Sequence, residues 1–125
     1  MTSGNINIGE AELEIMKVLW ESGKAVNSQY IGEKVENKGW KRTTILTFLT
    51  RLCEKGAISS EKVGKQYYYT PIISAKEYKR YQTKNLIKNL YNGSVKDFAV
   101  SLFEEESLSE EDIEELKAII YGKEA

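Results

Sequence analysis

The sequence predicts a mainly α chain with one small β-hairpin, an α+β arrangement in two parts, residues 1–72 and 73–125. Three observations predict it. Apolar residues recur at helical spacing through most of the chain; two short strand-like runs flank Gly64-Lys65; and Pro71, the single proline, stands where the pattern turns from strand back to helix.

From Glu10 to Glu21, Leu13, Met16, Leu19 and Trp20 recur at helical spacing, Ile15 and Val18 widen the stripe, and Gly23 closes the helix. Asn27 or Ser28 can cap a second helix of about three turns with Tyr30, Ile31 and Val35 as its apolar positions, ending within 37–39. A third helix runs from Lys41 or Arg42 to Lys55. Ile45, Phe48, Leu49 and Leu52 share one face, and Thr43, Thr44, Leu46, Thr47, Thr50 and Arg51 lie opposite. Gly56 stops it. Residues 57–63 and 66–70 then read as strands joined by Gly64-Lys65, the glycine-first pair that a type II′ hairpin turn prefers.

Beyond Pro71 the pattern is helical to the end. One helix covers 74–91, Asn92-Gly93 breaks it, and Ser94 caps a second over 95–103. Ser109-Glu110-Glu111-Asp112 resembles a capping box and opens a third, which is expected to bury Ile113, Leu116, Ile119 and Ile120. About 50 residues in three helices have little to bury themselves against, so their apolar faces are expected to meet a second copy of the chain.

Composition removes several function classes. The 125 residues hold no His and one cysteine, Cys53, which excludes an intrachain disulfide, Cys/His zinc sites and imidazole-based catalysis. No cofactor or metal site is expected. No run approaches the ~20 apolar residues of a membrane span, and the polar start lacks the features of a secretion signal. The expectation is a cytoplasmic protein without stable membrane association.

The net charge of −1 hides a sorting along the chain. Lys38, Lys41, Arg42, Arg51, Lys55, Lys62 and Lys65 face only Glu54 and Glu61 between residues 38 and 65, whereas residues 104–115 hold eight acids and no base. The first region can face phosphate and the second cannot.

Three helices followed by a two-stranded wing is the order of a winged helix-turn-helix, in which the third helix enters the DNA major groove and the wing follows the flanking backbone. The basic cluster falls on that helix and wing. Thr43, Thr44, Thr47 and Thr50 lie on the side that carries Lys41 and Arg51, where hydroxyls reach phosphates and base edges. Set against this, threonine-rich faces are often plain solvated surface, hairpin lysines often serve solubility alone, and the run from Tyr67 to Tyr69 reads more readily as strand packing than base stacking. Two rivals belong to other classes. A winged helix can be a protein-interaction module without specific DNA binding. An enzyme would need carboxylates such as Glu10, Glu12 and Glu14 to converge in a pocket, but one short helix spreads them around its surface.

The residues also carry a family resemblance. The segment from Ile8 to Trp20, with its Ala-Glu, Met and Trp positions, is similar to the opening of the BlaI/MecI repressors, the penicillinase and methicillin-resistance type. The run from Thr44 to Leu52 with Lys55-Gly56 resembles that group's recognition helix, and matches continue through 67–71 and 90–93. The resemblance implies a homodimeric transcriptional repressor with a C-terminal dimerisation domain, bound to double-stranded palindromic DNA of the TACA/TGTA type near β-lactamase or related antibiotic-resistance genes. Carried over by position, Thr44, Thr47 and Arg51 face DNA, and Lys62 or Lys65 makes the wing contact. Leu86, Leu90, Phe98, Leu102, Ile113, Leu116 and Ile120 make the dimer. A membrane sensor-protease is the inducer that the resemblance implies, cutting at Ser101–Leu102, where relatives carry Asn-Phe. Other departures are Leu46 in place of a long polar side chain, Lys41-Arg42-Thr43 leading into the helix, Gly9 at the first cap, and no paired Cys-x-Cys of the copper-responsive members.

Overall fold

The computed structural model describes residues 6–104 and 108–124, so part of the acidic run, residues 105–107, lies outside the described residues. Helix α1 spans Glu10–Ser22, strand β1 Val26–Asn27, helix α2 Ser28–Lys34 and helix α3 Arg42–Glu54. Strands β2 (Ile58–Val63) and β3 (Gln66–Pro71) form the hairpin, and helices α4 (Ala75–Leu90), α5 (Val95–Glu104) and α6 (Glu110–Glu124) complete the chain.

The helices follow the apolar stripes. On α1, Ile15, Met16 and Leu19 are buried while Leu13, Val18 and Trp20 are half-buried against the same core. Gly9 has no side chain to cap the helix. The Glu12 carboxylate instead reaches back one turn and accepts from the Gly9 N–H at 2.9 Å, one half of a capping box. Helix α2 is two turns rather than three. Its end tightens into a 3-10 turn over Glu36–Lys38, one way a short helix satisfies its last carbonyls.

The expected two-stranded hairpin is a three-stranded antiparallel sheet in the order β1-β3-β2. Val26 pairs with Tyr69 and Asn27 with Tyr68, tying the start of α2 to the wing. At the hairpin tip, Gly64 takes φ 67° and Lys65 does not take a positive φ, the division between the two central residues that a type II′ turn requires and a type I′ turn does not allow. Along β3, Tyr67 is exposed, Tyr68 half-buried and Tyr69 buried. Tyr67 and Tyr69 share a face, but only Tyr69 lies over the core.

The chain parts into two compact units after Gln82, inside α4 rather than before it. Packing explains why the first unit runs past Pro71. The Trp20 indole donates to the Ile73 carbonyl at 2.9 Å, and its ring stands 6.0 Å from that of buried Tyr78. Every buried residue of the core lies between Ile8 and Tyr78.

In the second unit, Ser94 caps α5 and Ser109 caps α6, each hydroxyl accepting from the N–H three residues on at 3.0 Å. Asn92 and Gly93 break the helices at positive φ. Tyr91 packs edge-on against Phe98 with ring centroids 5.5 Å apart. The expectation that α6 buries its apolar positions does not hold within one chain. Ile113 is half-buried and Leu116, Ile119 and Ile120 are exposed, because none of the described residues covers them. Leu86, Leu90, Val95, Val100 and Phe103 are exposed as well, and none of the described residues beyond Gln82 is buried.

Candidate nucleic-acid interface

Helix α3 sets most of the candidate side chains. It sinks Ile45, Leu49 and Leu52 into the core, and the 100° step of a helix then places Thr43, Thr47 and Thr50 in a row on the opposite side, all exposed. Two flanks border this row. Toward α2 and the wing stand Arg42 and Leu46; on the other flank are Thr44 and Arg51, with Lys55 one turn beyond. Leu46 is not simply on the solvent face, as its position opposite the apolar stripe suggested. It is half-buried and packs partly on the core.

The hydroxyls of Thr47 and Thr50 each donate to a carbonyl one turn back, Thr43 and Leu46 respectively, at 2.9 Å. At the start of α3, Lys41 occupies the cap position without a side-chain bond, and the first turn contains no acid. Its N–H groups and the two cations Lys41 and Arg42 make this the electropositive end of the helix.

The second wall comes from α2 and the wing. The Asn27 side chain accepts from the Tyr30 N–H at 2.9 Å, capping α2, and its amide donates to Gln66 Oε1 at 2.6 Å. One residue thus fixes both the cap of α2 and the root of the hairpin tip. Between these elements lies a half-open groove of about 810 Å³ lined by residues that include Asn27, Ser28, Gln29, Arg42, Leu46, Thr50, Lys65, Gln66 and Tyr67.

The groove therefore joins four of the sequence-predicted residues, Arg42, Leu46, Thr50 and Lys65. Lys41, Thr43, Thr44, Thr47, Arg51 and Lys62 are not in its lining. Lys62 is exposed on β2, its ammonium 5.9 Å from the Tyr67 ring centre. Asn27, Ser28, Gln29 and Gln66 were missed as site residues. The cap signal at 27–28 was visible, but its link to a glutamine 39 residues away was not. In the second unit, Leu86, Leu90, Leu116 and Ile120 are exposed while Phe98, Leu102 and Ile113 are half-buried. Ser101 and Leu102 sit inside α5, where Ser101 donates to the Phe98 carbonyl at 2.6 Å and accepts from the Tyr91 hydroxyl at 3.1 Å.

Glu12 locks α3 to α1. It is only 5% exposed, and its Oε1 lies 2.5 Å from Lys55 Nζ. Burial raises its pKa, but the hydrogen bonds from Lys55 and Gly9 and the charges of Lys55 and Arg51 outweigh that effect and hold the carboxyl below its ordinary value. Glu14 is engaged by Lys17 at 3.1 Å. These carboxylates hold cations in place and do not converge on a pocket. Burial pushes the Cys53 thiol up, against a hydrogen bond with Ser60, which keeps it in the unreactive protonated form at neutral pH.

Comparison with known proteins agrees with this geometry. The family model described as Penicillinase repressor matches residues 8–121. A penicillinase repressor of Bacillus licheniformis is 34% identical over 113 residues, covering 90% of this chain and 88% of its own. The methicillin resistance regulatory protein MecI of Staphylococcus aureus (strain N315) is 32% identical over 123 residues, 98% of this chain and all of its own. Among solved structures, that of the DNA-binding domain of the repressor BlaI is 36% identical with a TM-score of 0.53, covering 58% of this chain and 89% of that domain. A match that spans nearly the whole sequence, on a winged-helix frame, shows that this chain belongs to the penicillinase repressor family, a family of transcriptional repressors and not of enzymes.

Proposed function

We propose that this chain is a cytoplasmic DNA-binding transcriptional repressor that acts as a homodimer on a twofold-symmetric operator controlling a β-lactam-resistance or related gene. The observation that carries the reading is the exposed row Thr43, Thr47 and Thr50, flanked by Arg42 and Arg51, on a frame similar to the DNA-binding domain of BlaI. Each protomer places α3 in a major groove, successive grooves lying about one turn of DNA apart. Thr44, Thr47 and Arg51 meet base edges; Lys41, Arg42, Lys62 and Lys65 meet phosphates and set the register. The dimer blocks polymerase by occupancy. No described helix is long and apolar enough to cross a membrane.

The exposed apolar side chains of α4, α5 and α6 support dimerisation through the second unit. Induction by a membrane sensor-protease belongs to the same proposal, with cleavage at Ser101–Leu102. That bond lies within α5 and must unwind before a protease can take it in extended form.

Arg51 provides the test. Arg51→Ala should weaken binding to the operator by about 10- to 100-fold, the 1–3 kcal/mol of a good base contact, while binding to unrelated DNA falls much less. Equal losses on both DNAs would make Arg51 a phosphate contact only. An unchanged affinity would remove it from the interface.

A further inference from the structure

We propose that Leu46 is a specificity determinant that reads the 5-methyl group of a thymine in the major groove, with Thr50 beside it. The inference rests on the DNA-binding reading above and deepens it.

The middle of the recognition face is poor in hydrogen-bond donors. The hydroxyl protons of Thr47 and Thr50 are engaged by the carbonyls of Thr43 and Leu46 at 2.9 Å, inside the helix itself. What these two side chains have left for a ligand is methyl groups and oxygen lone pairs. Leu46 adds only methyls. It is half-buried, and the part of its surface not packed on the core lines the open groove between Arg42 and Thr50. The charged donors of the helix stand at its start, Lys41 and Arg42, and on the opposite flank, Arg51; of these Arg42 borders Leu46 in the groove.

The four bases differ in what they offer such a surface. Guanine shows two acceptors in the major groove and needs donors, whereas thymine shows a methyl group beside one acceptor. A face of methyls whose hydroxyl protons are already bonded complements thymine best and guanine worst. A long polar side chain at position 46 would reverse that preference by supplying a donor.

The test starts by selecting bound duplexes from a random-sequence library with the full-length protein. The selected duplex is then resynthesised with deoxyuridine replacing thymine one position at a time, which removes a single methyl group and leaves the pairing intact. At one thymine in each half-site, the wild-type protein should lose about fourfold in affinity, the worth of one buried methyl. In Leu46→Ala that thymine and uracil should bind alike, while sensitivity at other thymines persists. Leu46→Gln serves as a second variant should alanine loosen the packing, and it too should erase the difference at that position. Uracil tolerated at every position, or the same fourfold loss in both Leu46 variants, would overturn the proposal while leaving the repressor reading intact. Failure to select any sequence would instead overturn the repressor reading on which it rests.

Discussion

Lys55→Met is expected to destabilise the folded chain by about 2 to 3 kcal/mol at neutral pH, although Lys55 is itself over a third exposed on the surface. The loss comes from its partner. Glu12 is buried, and removing the ammonium 2.5 Å away leaves a carboxylate held by the Gly9 N–H. Glu12→Gln should cost less, about 1 kcal/mol, because glutamine still accepts from Gly9 and Lys55 can turn into water. The order of the two variants tests the account; a milder Lys55→Met would contradict it. Acid gives a second check. In the wild type the depressed carboxyl contributes stability above its unfolded value, and that contribution is lost as pH falls through the folded value. In Lys55→Met, burial dominates and moves the carboxyl up, so the folded state gains from protonation. The gap between the two proteins in urea unfolding should therefore narrow as pH drops below about 4. Because Lys55 follows directly on α3, loosening this pair should also blunt operator binding.

The double variant Leu116→Lys/Ile120→Lys is expected to dissociate the proposed dimer and lower operator affinity by about 100-fold or more, the scale on which linked half-site binding exceeds single-site binding. Both residues lie on one side of α6, four positions apart, with Leu116 44% and Ile120 56% exposed in the single chain. Lysine is a good helix former and suits the C-terminal end of a helix, so the monomer should lose less than about 0.5 kcal/mol. The added positive charge favours DNA in general, which makes a loss of affinity the more telling. Sedimentation equilibrium checks the mass, and a titration with operator DNA checks the affinity. A variant that remains dimeric would place the contact elsewhere, and a monomer that binds as tightly as the wild type would remove the dimer from the mechanism.

What was legible in the sequence divides along physical lines. Helices α1 and α3 were readable because their cores are continuous apolar stripes and because Gly23 and Gly56 end them in left-handed backbone. The hairpin was readable from Gly64. Strand β1 was not, since two residues carry no periodicity and its pairing with Tyr68 and Tyr69 is a tertiary fact. Glu12 read as surface because its partner is 43 residues away, although the paired lysine is what makes burial tolerable. The apolar positions of α6 show the opposite failure. Periodicity identifies which side of a helix is apolar, but nothing in it says whether the same chain covers that side. For the candidate site, helical spacing and the basic cluster marked Arg42, Leu46, Thr50 and Lys65 as parts of one interface. The groove they share also depends on β1 pairing with β3 and on Asn27 bonding to Gln66, and pairing at that distance leaves no local pattern.

Repressor function is decided by a binding titration of the purified protein against its own upstream promoter DNA and a scrambled duplex of equal length, each at two salt concentrations. A dimeric repressor should bind the promoter cooperatively and at least ~1000-fold tighter than the scrambled duplex, with both affinities falling as salt rises. Equal, weak binding to both duplexes that vanishes at moderate salt would contradict that reading, and no binding to either duplex even at low salt would favour a protein-interaction module.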